Sequence, residues 1–516
     1  MEKHCSLPTR LSLVLPLLAA VELARAADQP QWGEHYSRNL VSDERGLPES
    51  FDPDIGENVR WVFELGSQCY ATPIVAEGRV LVGTNNDPPR DPDNRGDRGV
   101  LLCLNEADGK LLWHLAAPKR EQYHDWPRVG MVSPPTVVQG RVYLTSNRGE
   151  VLCLDLDGQA DGNDGPFSDE AQYMVPDDQS PLKIAANHAD IIWKFDMFAE
   201  LGVRTHDEMH SSPLIHGDVL YVGTSNGVDE THRHVPAPDA PSLIALDKHS
   251  GRLLARDREP IGEHITHSTW SSPSLGTVGG RDLVFFGAGN AICYAFEALA
   301  INLRPTRGEG RGGVNVATLK KVWQYDCDPG SPRGKLEVFQ GNRRTGPSTI
   351  TGMPVFDQGR VYVTASGDLW HGKLECWLHA INAGGSGDIT QTGRIWAAPL
   401  SRHCMSTPSI HDGLAYIADC GRQVSCIDTQ TGEPVWVHRA GGDIWGSTLV
   451  ADGKVYVGSI RGDFWILAAG REYKVLSRVD LGDPIHATPT AANGALYVAT
   501  MRRLFAFAEP ASADRQ

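Results

Sequence analysis

One short unit returns eight times along this chain, and it restricts the fold more than any other feature. Each copy is a proline step, a short apolar strand, a tight turn and a second apolar strand. The copies are YATPIVAEGRVLVGT, VSPPTVVQGRVYLTS, HSSPLIHGDVLYVGT, WSSPSLGTVGGRDLVFFG, TGMPVFDQGRVYVTA, MSTPSIHDGLAYIAD, WGSTLVADGKVYVGS and HATPTAANGALYVAT. Their markers are Pro73, Pro134, Pro213, Pro273, Pro354, Pro408, Thr448 and Pro489. The last three stand 40 and 41 residues apart, and the wider spacings are the same unit with insertions. Most copies continue into a third strand, a turn and a fourth, as in GVLLCLNEADGKLLWHL and QVSCIDTQTGEPVWVHR. Gly109, Gly251 and Gly432 occupy those turns, where glycine takes a left-handed backbone at little cost. A repeat of four short strands cannot bury its faces alone, but stacked copies can. The predicted fold is all-β: an eight-bladed β-propeller of four-stranded antiparallel blades.

The two ends of the repeat region agree with a closed ring. The eighth copy stops after RLFAFAE with three strands, and an orphan strand, NVRWVFEL (58–65), precedes the first copy. Pairing this N-terminal strand with the last blade removes the free edge. Residues 58–509 therefore read as one propeller rather than several domains. Ahead of it, residues 1–26 carry Lys3 and Arg10, the apolar run LSLVLPLLAAV and a small-residue ARA site. This is the pattern of a cleavable signal peptide, too short in its apolar core to span a bilayer. No cysteine follows for a lipid anchor, so the expected location is periplasmic or secreted. Residues 27–57 are left as an N-terminal extension and 510–516 as a tail. The formal net charge of −16 argues against nucleic acid or an anionic membrane as partner. No later segment is apolar and long enough to be an integral membrane span. The expected partner is a small-molecule ligand or a protein.

In a propeller the first strand of each blade lines the central channel, so the residues just before each marker converge on one mouth. Going round the ring, these include Gln68, Cys69 and Tyr70; Arg128 and Met131; Asp207, Glu208 and His210; and His267 and Trp270. The ring continues with Arg343 and Arg344; Arg402, His403, Cys404 and Met405; Asp443 and Trp445; and Asp483 and His486. Histidines, acids, arginines and tryptophans gathered in one place suit a small-molecule site. Asp207, Glu208, His210 and His403 are the candidate proton-handling residues, and Trp270 and Trp445 the candidate ring-binding surfaces. Glu208, His210, His267 and His486 are candidate ligands for a transition metal. The segment His206-Asp207-Glu208-Met209-His210 is not a zinc-protease helix: its spacing differs and it feeds a strand. A proline- and charge-rich insertion, 85–99, reads as a surface loop of the first blade. The insertion CLDLDGQADGNDGPFSDE offers Asp155, Asp157 and Asp161 among glycines, an expected structural calcium site within 155–164 that lacks the EF-hand register. Cys103, Cys153 and Cys426 recur at one position in separate blades and read as packing, whereas Cys69 and Cys404 stand beside the mouth.

The segments RGDRGVLLCLNEADGKLLW, FDMFAELGV, SSPLIHGDVLYVGTSNGVDETH, DGLAYIAD and IWGSTLVADGKVYVG resemble the PQQ-like propeller repeat, and most closely an exported subgroup of planctomycete type. More distantly the chain resembles quinoprotein alcohol dehydrogenases and the outer-membrane assembly propeller. The quinoprotein resemblance implies pyrroloquinoline quinone with calcium. Trp270 would be the stacking tryptophan, Glu208 a calcium ligand, Asn290 the calcium-site asparagine, and Arg128 or Arg343 the partners of the quinone carboxylates. It also implies an oxidoreductase, which the chain departs from in lacking an adjacent Cys-Cys pair, an acid in GNAICY and a CxxCH haem motif. The assembly-propeller resemblance implies instead a non-catalytic periplasmic adaptor binding protein partners through its blade loops.

Overall fold

The computed structural model describes residues 1, 27–120, 126–299, 316–333, 338–339 and 341–510. The predicted signal segment beyond Met1, the loop RPTRGEGRGG and the tail beyond Pro510 lie outside them. Eight sheets form the ring. Blade 1 holds strands Ile74–Ala76, Arg79–Asn85, Arg98–Asn105 and Leu111–Pro118, each antiparallel to the next. The eighth blade holds Thr490–Ala492, Ala495–Ala499 and Arg503–Phe507, and its fourth strand is Val59–Glu64, which pairs Phe63 with Leu504 and Trp61 with Ala506. The ring thus closes through the N-terminal strand, as the orphan strand led one to expect.

The blades are not uniform. Four sheets have four strands and four have five, among the described residues. The added strands are two residues long. Ala317–Thr318 lies parallel to Leu253–Arg256 and Gly387–Asp388 parallel to Lys321–Asp326, each covering an outer edge. Such short edge strands satisfy exposed backbone groups without offering a template for aggregation.

The core lies between blades, where the faces of neighbouring sheets meet in eight apolar clusters; one joins Trp113 and Leu115 of blade 1 to Leu152 and Leu154 of blade 2. Tryptophans in the fourth strands lock most of these interfaces. The indole N–H of Trp61, Trp113, Trp193, Trp323, Trp396 and Trp436 donates to Glu106, Leu156, Lys248, Ala383, Thr429 and Gly470 carbonyls, at 2.8–3.0 Å. Each acceptor belongs to the next blade's turn between strands three and four. The glycines of those turns therefore serve two ends. Gly251 has φ 69°, and a Cβ on it would stand 2.4 Å from the Trp193 ring.

The N-terminal extension is part of the propeller rather than an appendage. Its backbone crosses one end of the channel and bonds to blade after blade. Asn493, Val75 and Val137 N–H groups donate to Ala27, Gln29 and Pro30 carbonyls, and Leu275, Phe356 and Val450 to those of Tyr36, Ser37 and Leu40. Asn39 exchanges two bonds with Ile410. The Arg38 guanidinium, fully buried, donates to the carbonyls of Trp32, Ser212, Pro213 and Pro273. All eight blades are tied to this one segment, and its Trp32 lines the channel floor. No helix among the described residues is long and apolar enough to cross a membrane.

Candidate functional site

The residues ahead of the first strands do converge. A channel cavity of about 90 Å³ is lined by Tyr70, His210, Trp270, Met405, Trp445 and His486, among others, with Trp32 below. Above it opens a second cavity of about 300 Å³, lined by Trp126, Pro127, Asp207, His232, His267, Trp370 and His371. Aromatic rings join the two. Trp270 lies 6.1 Å from Trp370 and Trp370 lies 5.8 Å from Trp445, both nearly at right angles.

Backbone bonds fix the upper site. The segment Ser225 to Val228 is knitted between the loops that lead into blades 3 and 4. Gly227 N–H donates to Arg204 O, Val228 N–H to His267 O, and Thr269 N–H to Asn226 O. Ser268 Oγ donates to Ser225 O, and His206 Nδ1 stands 3.0 Å from Val228 O. A Cβ at Gly227 would stand 2.6 Å from His267 O and 2.8 Å from His206 Cβ, so this position must be glycine for the two histidines to sit where they do. Asp207 and His232 both adopt left-handed φ, 58° and 55°. Such backbone conformations cost free energy and cluster at functional sites.

His267 is the electrostatic centre. Its Nδ1 is 2.8 Å from Asp368 Oδ2 and its Nε2 3.3 Å from Asp207 Oδ2. Burial alone would push its pKa down, but the two carboxylates more than offset that and hold it up at about 9. Both carboxylates are pulled below their ordinary range: burial opposes this, and the His267 ring prevails. The other imidazoles go the other way. Burial pushes His210, His232 and His486 down to about 4, and lowers His371 and His403 as well, so they are neutral at pH 7. Asp368 Oδ1 also accepts the N–H groups of Trp370 and His371, anchoring the loop that carries both.

The expected site residues divide into two groups. Asp207, His210, His267, Trp270, Trp445 and His486 line the two cavities. His210 packs on Trp270 at 5.1 Å, and His486 stands edge-on to Trp445 at 4.7 Å. Glu208 is fully buried, 3.9 Å from Lys119 Nζ. Lys119 in turn donates to Trp126 O and so steadies the Trp126 rim. His403 is buried and is not among the residues lining either cavity. Arg128 is exposed and paired with Asp87, while Arg343 donates to Leu369 and Gly372 carbonyls, propping the Trp370–His371 loop from outside. Asn290 bonds the Tyr294 hydroxyl within blade 4. Asp155, Asp157 and Asp161 do bring carboxylate oxygens within 4.8 Å of one another. Arg141 pairs with Asp155 and Arg79 with Asp157, so arginines already meet two of the three charges. The nine described cysteines are buried and free, and Cys69 and Cys404 each aim Sγ into their own blade, at Gly83 O and Ala418 O.

Sequence reasoning missed His232, Asp368, Trp370, His371 and Trp126. The first four lie in connections between second and third strands, which emerge on the same face as the loops that lead into the first strands. The signal was present: the connections SNGVDETHRHVPAPDAPS and GDLWHGKLE are longer than a tight turn and rich in histidine.

Comparison with known proteins places this geometry in a family. The outer membrane protein assembly factor BamB of Alkalilimnicola ehrlichii is 26% identical over 202 residues, which are 37% of this chain and 47% of that protein. The chain thus spans about half the length of the curated relative it matches. Among solved structures, BamB of Moraxella catarrhalis superposes with a TM-score of 0.48 at 13% identity, over 88% of this chain and 98% of that one. The quinohemoprotein alcohol dehydrogenase ADHIIG of Pseudomonas putida HK5 superposes with a TM-score of 0.55 at 13% identity, over 94% and 82%, a likeness of fold. A family model described as outer membrane protein assembly factor BamB matches residues 40–164, 94–297 and 378–472. With well over half its length matched, the chain belongs to this PQQ_2 family of β-propellers.

Proposed function

We propose that this protein is an extracytoplasmic propeller that binds a flat, uncharged ring compound at the open mouth of its channel. The observation that carries the reading is the wall of the upper cavity. Trp126 and Trp370 stand edge to face there, 6.5 Å apart, beside the neutral imidazoles of His232 and His371, and no lysine or arginine among the described residues lines the space. Indole faces take up flat rings, and imidazole nitrogens orient a hydroxyl or carbonyl on them. A ligand bearing several carboxylates or phosphates would meet Asp207, and the one cation there, His267, is already paired with Asp207 and Asp368. For that reason pyrroloquinoline quinone with calcium does not fit the residues present. Arg128 and Arg343 are engaged elsewhere, Asn290 is satisfied by Tyr294, and the described cysteines form no clamp. The signal-like pattern of residues 1–26 and the outer-membrane description of the family support export. Placement in a planctomycete-type subgroup rests on the repeat segments quoted above.

The test is a tryptophan-fluorescence titration with catechol, a neutral flat ring, beside one with pyrroloquinoline quinone and calcium. Saturable quenching by catechol that Trp370→Ala removes supports the reading. Tight calcium-dependent binding of the quinone with no response to catechol overturns it in favour of a quinoprotein oxidoreductase.

The family description favours a second reading, an adaptor that binds protein partners through the blade loops. Trp126, 49% exposed on the rim, would then be a partner contact. An adaptor loses its partner on Trp126→Ala and shows no ring binding at all.

A further inference from the structure

The upper cavity has a floor as well as walls. His206, His232 and His267 each bring one ring nitrogen within 4.8 Å of the others, with ring centroids 4.4, 4.7 and 5.0 Å apart. They come from three different loops: the ones leading into blades 3 and 4, and the 2–3 connection of blade 3. We propose that these three histidines, with Asp207, hold one divalent transition-metal ion at the base of the mouth. The assignment deepens the ring-binding reading but stands on different residues.

The second contacts of the rings make the argument. A histidine that ligates a metal through one nitrogen almost always gives its other N–H to a backbone carbonyl or a carboxylate, which fixes tautomer and orientation. His206 has Val228 O at 3.0 Å from Nδ1, and His267 has Asp368 Oδ2 at 2.8 Å from Nδ1. In both rings this turns Nε2 toward the cluster. Asp207 faces those same two atoms, with Oδ1 3.6 Å from His206 Nε2 and Oδ2 3.3 Å from His267 Nε2. His232 Nδ1 is buried with no hydrogen-bond partner. An ion would draw these donors, now within 4.8 Å of one another, to about 2.0–2.1 Å from itself, with His232, the least buried of the three, moving most. Three imidazoles and one carboxylate suit zinc, copper or iron and not calcium, which takes oxygen ligands. The open side of the ion would face Trp126, Trp370 and the cavity, where a ring hydroxyl could reach it.

The set keeps His267 from the ligands the sequence suggested and leaves out the others. His210 and His486 lie deeper, against Trp270 and Trp445, and Glu208 is turned to Lys119.

The test uses purified full-length protein stripped with a chelator and titrated with cobalt(II), with no ring compound present. The expected result is one ion per chain, with the intense visible bands of a low-coordinate cobalt site. His232→Ala, a change in an exposed connection, should weaken binding at least 100-fold with an unchanged melting temperature. Asp368→Asn, a positioning change, should weaken it about 10- to 100-fold and alter the cobalt spectrum. His486→Ala, in the lower channel, should leave it unchanged. Failure of the wild type to bind one ion, or equal binding by His232→Ala, overturns the assignment. Because catechol quenching is read separately on stripped protein, a failed metal site and a failed ring site give different results.

Discussion

At the scale of single residues, the mouth depends on one glycine. Gly227 lets three backbone segments close on one another, and the space a methyl group needs is already filled by His267 O and His206 Cβ. Gly227→Ala should push the two imidazoles apart, reducing cobalt affinity at least 10-fold and costing ~1–3 kcal/mol of stability. Titration and urea denaturation of the same variant would check both effects. Affinity equal to wild type would show that the bracket does not set the site. The residue scale is also where the sequence was hardest to read. The segment from His206 to His210 stood out because it precedes a repeat marker, and the structure does put it at the mouth. Its neighbours His232, Asp368 and Trp370 lie 26, 162 and 164 residues beyond His206 in the numbering, so only strand connectivity brings them there. Glu208, an acid in a conspicuous position, is buried near Lys119 and lines neither cavity. A sequence states which side chains reach a surface; it does not state which partner each one finds.

Between strands and blades, the tryptophan of one blade seated on the turn of the next is the recurring joint. Trp396 donates to Thr429 O at 2.9 Å, and its ring fills the place where a Cβ of Gly432 would be. Trp396→Phe keeps most of the apolar contact and removes one of the two donors to the carbonyl, Arg360 Nη1 remaining, so a loss of ~0.5–1.5 kcal/mol is expected. Gly432→Ala should cost more, since the added methyl strikes the indole and φ is 75°. Denaturant midpoints of the two variants give the order. The tryptophans were legible in the sequence as strand residues and the glycines as turn residues. That they face each other across blades was not, because the contact joins adjacent repeats.

The same interfaces bury histidines, and these give a pH dependence. His379 in Cys376–Asn382 stands 3.2 Å from the Tyr325 hydroxyl of blade 4, and burial, aided by Arg394, lowers its pKa to about 4. An unfolded histidine titrates near 6.5, so the unfolded chain takes up the proton first as the pH falls. The stability due to the neutral ring is complete above pH 6.5 and is lost between there and about 4. At most ~1.4 kcal/mol per pH unit is at stake. His379→Gln should therefore be less stable than wild type at pH 7, with the gap shrinking by about 2 kcal/mol at pH 4.5. A gap that stays constant between the two pH values would show that the ring does not titrate as described.

On the scale of the whole molecule, two devices hold the ring. One is closure by Val59–Glu64, which the orphan strand NVRWVFEL announced in the sequence. The other is the N-terminal extension, which nothing in its composition announced. It holds six blades by backbone bonds, which leave no mark in a residue pattern, and the other two by the side chains of Arg38 and Asn39. Arg38 concentrates this role, giving its guanidinium to four carbonyls. Arg38→Met should cost ~3 kcal/mol, since it leaves buried acceptors without a donor. It should also make the channel tryptophans more accessible to acrylamide, which fluorescence quenching would show. Trp32 lines the lower cavity, and the histidines and tryptophans line the upper one, where a ligand is expected to enter.

The most direct test of that mouth as a binding site is a crystal structure of the protein grown after chelation and soaked in cobalt(II) and catechol. An anomalous peak is expected within bonding distance of His206, His232 and His267, with ring density against Trp126 and Trp370. A mouth holding neither ion nor ring, or a peak among His210, His486 and Met405 instead, would contradict that expectation.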